Sequence, residues 1–191
     1  APTEIGDGAD GALAPTGAFN LNSSTSGARS YADGIAYKVS ANPTGTSIVT
    51  TDTPNGLVSG DELLIINLQG TSADNSDVGN YEIIGVSSVN TGTKTITTST
   101  SILNSYDGTT FSNQKVIIQR IPNYTSVTLD STDSITATAW DALTTTPTGA
   151  IGYYSGIVIF KSTGTVTVGS GTTIDVDGLG YQGGVGYASA G

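Results

Sequence analysis

The chain has 191 residues, a formal net charge of −10, and no His, Cys or Met. It therefore lacks the side chain whose pKa suits acid–base work near neutrality, and the soft thiolate that serves as nucleophile and ligand. That excludes Ser-His-Asp and Cys-His catalysis and most zinc, iron and copper sites, while the balance of 16 acidic to 6 basic residues disfavours nucleic acid and anionic membrane surfaces.

Residues 1–33 are rich in Gly, Ala, Ser and Asn, with Ile5, Leu13, Phe19 and Leu21 widely spaced. They read as an extended arm that becomes ordered only by lying against something else. Ile35, Tyr37 and Val39 alternate with Ala36 and Lys38, the period of a half-buried strand. Ser47 to Thr51 is a short β-branched run, followed by turn signals at Asn55-Gly56 and Ser59-Gly60-Asp61. Leu63 to Leu68 is apolar on both faces and predicts a central strand. After a polar loop from Gly70 to Gly79, Tyr81 to Val89 and Thr93 to Thr98 read as a hairpin about Asn90-Thr91-Gly92.

A strand containing Val116-Ile117-Ile118 ends at Pro122, and alternation resumes at Thr125, Val127 and Leu129 and at Ile135, Ala137 and Ala139. Ile157 to Phe160 is a third doubly apolar run and predicts a strand. Thr165 to Val168 and Ile174 to Asp177 are short strands about a Gly169-Ser170-Gly171 turn. The last thirty residues resemble one and a half rungs of a β-solenoid, although no strict repeat runs through the chain. Stiff β-branched residues dominate, no segment holds a helical period, and strand signals recur at sandwich or barrel spacing.

The prediction is an all-β chain: a jelly-roll-like β-sandwich over residues 34–177, an extended arm over 1–33 that could donate a strand, and a Gly/Tyr-rich segment over 178–191. The length suffices to bury a core without disulfides. Without sulfur there is nothing readily oxidised, which suits exposure outside a cell. No apolar run reaches the roughly 18 residues of a membrane helix. A start at Ala1-Pro2-Thr3, with no initiating Met, leads us to expect a processed, secreted chain.

No catalytic, cofactor-binding or metal residue is assigned, and the chain is read as a non-enzyme. Asp61-Glu62, Asp130/Asp133 and Asp175/Asp177 offer the carboxylate pairs that glycoside hydrolysis needs, but nothing in the sequence places one in an apolar pocket. Calcium is the one ion the acidic loops could take, at Asp7/Asp10, Asp74/Asp77 or Asp175/Asp177. Neither the EF-hand nor the calcium-binding nonapeptide spacing is present, and a local Asp turn explains each motif singly. Trp140 reads as a core or interface anchor rather than a sugar platform, and Tyr153-Tyr154 point to opposite faces of a sheet. Sequons at Asn22 and Asn123 are candidate glycosylation sites, and the Ser/Thr-rich stretch 125–148 is a candidate for O-linked sugar.

Three segments carry a family resemblance: Gly60-Asp61-Glu62-Leu63-Leu64-Ile65-Ile66-Asn67-Leu68-Gln69-Gly70; Gln119-Arg120-Ile121-Pro122-Asn123-Tyr124-Thr125; and Gly156 to Phe160 running on to Gly178-Leu179-Gly180-Tyr181-Gln182-Gly183-Gly184. Together they resemble an N-terminal β-rich module of large secreted and cell-surface, adhesin-like bacterial proteins, although Gln182 stands where that module has Arg. The resemblance implies an extracellular, modular, adhesive or structural protein and transfers no site residue.

The function expected is that of a structural subunit of an extracellular filament or cell-surface fibre, joined to its neighbours by strand addition. The alternatives are a monomeric adhesin or carbohydrate-binding module of a larger surface protein, and a viral capsid or tail-fibre subunit. The expected partners are further copies of the chain and a glycan or cell-surface ligand.

Overall fold

A computed structural model describes residues 6–140 and 156–180 of the chain. Residues 1–5 of the expected arm, Tyr153-Tyr154 and residues 181–191 of the Gly/Tyr-rich segment lie outside the described residues.

The chain is all-β. Its larger part is one antiparallel sheet of six strands in the order β3 (Ala36–Lys38), β8 (Lys115–Ile121), β5 (Glu62–Gln69), β6 (Tyr81–Asn90), β7 (Thr95–Thr98) and β4 (Ser47–Val49). Leu63 to Leu68 is the centre of β5, paired on both edges; Leu63 and Ile65 face one apolar cluster and Ile66 and Leu68 another, which is why that run is apolar on both faces. Register shifts at Asn67/Gln69 and at Val86/Ser88 bend the sheet, as bulges do. It curls until its outer strands meet: Ser40 N–H donates to the Val49 carbonyl at 2.8 Å, and Thr51 N–H to that of Lys38 at 2.9 Å. The two walls of the curled sheet thus face each other across one core, the layered packing expected of a sandwich. Leu63, Ile65, Ile84, Val86, Ile96, Ile48, Val116 and Ile118 fill it, with Tyr37 and Tyr106.

The smaller part is a parallel stack of three chain passes. The first holds β1 (Ala12–Leu13) and β2 (Ala18–Asn20). The second holds β9 (Asn123–Tyr124), β10 (Ser126–Leu129) and β11 (Ser134–Thr136). The third holds β12 (Lys161–Ser162), β13 (Val166–Val168) and β14 (Thr173–Ile174). All pair in parallel, with β10 between β1 and β13 and β11 between β14 and β2. Apolar residues therefore stack in register: Leu13 on Val127 on Val166, and Phe19 on Ile135 on Ile174. Passes of this kind are the rungs that the C-terminal segment suggested, and the first rung comes from the N-terminal one.

Residues 6–22 of the expected arm are extended, and they lie against their own chain. Leu13, Phe19 and Leu21 are buried in one cluster with Tyr124, Val127, Leu129 and Ile135. The edges of β1 and β2 that face β10 and β11 are bonded within the chain, where strand donation to a neighbour was expected. The curled sheet is inserted between the first and second rungs.

Residues 157–160, expected as a strand, carry none. The run is apolar on both sides because it separates two clusters. Ile157 packs on Leu68 and Ile117 of the sheet, while Val158 and Phe160 pack on the cluster of the stack.

Candidate functional site

Two features stand out at the joint and the end of the stack. The first is a buried ionic junction. Arg120, at the end of β8, bonds Asp61 through Nε at 2.6 Å and both carboxylate oxygens of Asp10 through Nη2 at 2.8 and 2.9 Å. Its Nη1 donates to the Asp33 carbonyl at 3.1 Å. Burial by itself lowers the pKa of the guanidinium, but the charge of Asp61 and the hydrogen bond and charge of Asp10 outweigh it and raise the pKa above the ordinary value. Asp33 accepts the Tyr124 hydroxyl at 2.7 Å and the Ser26 amide at 3.0 Å. Burial, then the charge of Asp33, raises the Tyr124 phenol far above its ordinary value. The junction ties the first rung, the turn before β5 and the end of β8 into one body.

A cleft of about 410 Å³ opens over this junction, lined by Asp7, Asp10, Arg29, Asp61, Arg120 and Asn123 among others. Its carboxylates are already engaged. Asp61 also accepts the Val58 amide at 2.8 Å, Asp10 the Asn123 amide at 2.7 Å, and Asp7 the Ala9 amide at 2.9 Å.

The remaining acidic motifs are also spoken for. Asp74 accepts the Thr109 amide at 2.7 Å, the Thr110 amide at 2.9 Å and the Asn113 side chain at 3.2 Å. These bonds, led by that of Thr109, hold its pKa below the usual carboxylate value against the opposing effect of burial. Asp77 accepts the Gly108 amide at 2.8 Å and the Ser105 hydroxyl at 2.7 Å. Gly108 has φ +53°, and a Cβ there would collide with Oδ1 of Asp74, so the loop can close on the two carboxylates only with glycine at that position. Asp133 accepts the Gly17 amide at 2.7 Å and the Asp130 amide at 2.9 Å, which lower its pKa in that order and fasten the first rung to the second. Asp175 accepts the Asp177 amide at 2.8 Å in a local turn. Among the described residues, no three acidic side chains converge as a metal site would require.

Both sequon asparagines are interior. Asn22 donates its side-chain amide to the Gly34 carbonyl at 2.9 Å and accepts from the Thr138 amide at 2.9 Å. Asn123 donates its own to the Ile121 carbonyl at 3.0 Å. A glycan on the folded chain would have to displace these bonds. Trp140 packs on Leu68, Ile117, Ile66 and Ile157, the anchoring role expected of it.

The second feature is the open end of the stack. Val127, Leu129 and Ile135 of the second rung are fully buried, whereas Val166, Val168, Ile174 and Val176 of the third are 42, 50, 42 and 39 % exposed. The third rung repeats the apolar pattern of the second, and among the described residues no strand pairs with its far edge. At the opposite end Leu13 and Phe19 are buried, beside a cleft of about 410 Å³ that they line with Thr25, Ser26 and Gly27. Among the described residues the apolar side chains of the stack are thus covered at its N-terminal rung and open at its C-terminal one.

Sequence reasoning missed Arg120 and Lys161 as organising residues. The available signal was their scarcity: the chain has two Arg and four Lys, and Arg120 interrupts an apolar strand.

No family model matches the chain, and no curated protein matches it. Similar solved structures include three phage tailspikes. One, of Acinetobacter baumannii bacteriophage AP22, was determined in complex with A. baumannii capsular saccharide; it is 17 % identical at TM-score 0.35, over 54 % of this chain and 17 % of that one. A second, of Pseudomonas phage LKA1, is 17 % identical at TM-score 0.32, over 56 % and 22 %. The third, of Pseudomonas phage phi297, is 14 % identical at TM-score 0.34, over 84 % and 23 %. The matched parts span about a fifth of those chains, and a likeness of this extent carries no functional assignment.

Proposed function

We propose that the chain is a structural module of an extracellular filament or cell-surface fibre, and that a second copy of it adds a strand at the open edge of β13 and β14. What carries the reading is the exposed apolar row on the third rung, in register with a fully buried row on the second. Residues 163–174 contain no charged side chain and no Pro, the devices by which edge strands usually repel a partner. A charge-free edge can meet another copy of itself even though each chain carries a net charge of −10. Because residues 12–20 are already bonded within the chain, the donor would be the Gly/Tyr-rich segment, residues 178–191 of the neighbour. The resemblance to modules of secreted and surface proteins points to the same setting.

Negative-stain microscopy and sedimentation velocity on the purified chain test this. Filaments or end-joined particles are expected, and Val168→Lys should disperse them by placing a charge on the edge. Dispersed monomers at every concentration, or unimpaired assembly by Val168→Lys, would overturn it. A glycan array on such monomers would then test the carbohydrate-binding alternative.

A further inference from the structure

We propose that Lys161 and Asn123 are the two ends of an intramolecular isopeptide bond, formed with Glu62 as the proton carrier. The three residues lie on adjoining strands. Glu62 opens β5 opposite Ile121 of β8, which passes through Pro122 into β9 at Asn123. Asn123 is the parallel register partner of Lys161 on β12. Register partners on neighbouring strands sit about 4.8 Å apart with side chains on the same face. Gly6 touches both, lying against Oδ1 of Asn123 and Cβ of Lys161.

The chemistry needs an amine, a carboxamide and a carboxylate away from water, and each is present. The Lys161 Nζ lies 3.0 and 2.9 Å from the two oxygens of Glu62. Asn123 is 6 % and Glu62 7 % exposed, and the Lys161 side chain is 13 % exposed. The buried Oδ1 of Asn123 has no hydrogen-bond partner, a cost that a structural asparagine would normally avoid. Fully buried beside it are Ile121 and Tyr124. In the first step Glu62 takes one proton from the Nζ that it holds, leaving two neutral groups.

The neutral Nζ then attacks Cγ of Asn123 by turning about the last torsions of the lysine side chain. The C–N bond to Nδ2 breaks as the new Cγ–Nζ bond forms. Of the two protons on the neutral amine, one stays on the amide and the other reaches Nδ2 by way of Glu62, so that ammonia leaves. The proton first taken by Glu62 leaves with the ammonia as ammonium, and Glu62 ends as it began. No oxidant or second reactant is needed. The product would lock the second rung to the third by a covalent bond, in a chain that has no cysteine with which to do so.

The test is a tryptic mass map of the full-length purified chain after denaturation. Arg120 and Lys161 are consecutive trypsin sites, and no Lys or Arg follows Lys161. An unmodified chain yields 121–161 and 162–191. The cross-linked chain resists cleavage at Lys161 and yields one peptide, 121–191, lighter than its sequence by one ammonia. Lys161→Arg and Glu62→Gln should restore the full sequence mass, with circular dichroism to confirm that each folds. Should either fail to fold, the wild-type map decides alone. Cleavage at Lys161 with peptides of full mass overturns the proposal. So does an ammonia loss that maps to Asn55-Gly56, where a succinimide would give the same mass change.

Discussion

Ile135 and Ile174 are the same residue type at stacked positions, and truncating each to Ala measures how the stack is capped. Ile135 is fully buried between Phe19 and Ile174, while Ile174 is 42 % exposed on the open rung. Removing a buried Ile side chain costs about 2–5 kcal/mol, because the transfer term is joined by a cavity that the neighbours fill only in part. A β-strand at either side holds Ile135 in register, so its cavity has little room to collapse, and about 3 kcal/mol is the expected value. Ile174→Ala removes a side chain already half in water, and in the monomer it should cost less than about 1 kcal/mol. For a chain of this length each kcal/mol moves the melting temperature by about 2–4 °C. Urea unfolding followed by Trp140 fluorescence gives both values, since the single tryptophan packs between the sheet and residue 157. Equal losses for the two variants in dilute solution would refute the capped-and-open description of the stack. An Ile174→Ala cost that appears only at assembling concentrations would support strand addition at that edge.

Arg120→Ala leaves Asp61 buried with no counter-charge and Asp10 with only Arg29 at 3.9 Å, and a loss of about 3–5 kcal/mol is expected by chemical denaturation. Arg120→Lys should recover only part of it, since one ammonium cannot reach both carboxylates and the Asp33 carbonyl with the fork that Arg supplies; full recovery would show that charge alone suffices. Asp74 and Asp133 have folded-state pKa values below the ordinary carboxylate value of about 3.9. Their contribution to stability is therefore complete above that value and disappears as the pH falls through the lowered folded values. The urea midpoint should hold from neutrality down to about pH 5 and drop below about pH 4, with a shallower drop in Asp133→Asn; an identical acid profile for that variant would sink the assignment.

Local pattern was legible where each strand needs only its own residues to declare itself. Period-two alternation marks β3, β10 and β11, and the apolar run of Leu63 to Leu68, interrupted only by Asn67, marks a strand covered on both faces. Glycine and asparagine punctuation marked the hairpin of β6 and β7. The carboxylates of the candidate site were visible as residues, but their bonding was not. Asp10 meets Arg120, and Asp33 meets Tyr124, across long stretches of chain that no spacing rule spans.

Alternation states which side of a strand is apolar and is silent on which neighbour covers it. For that reason the sparse segment around Leu13 and Phe19 resembled a loose arm when read alone. Its few apolar residues suffice because a parallel rung needs to supply only one side chain to each stack, the rest coming from Val127 and Ile135. The run Ile157–Phe160 misled for the complementary reason: apolarity on both sides reports burial on both sides, and a connection wedged between two clusters meets that condition as well as a strand does. Composition and period thus determined an all-β, sulfur-free chain with its turns in place. Tertiary structure alone decided that the apolar side chains of the first rung are buried and that, among the described residues, those of the third are exposed, because burial belongs to the assembled neighbours of a residue and not to the residue itself.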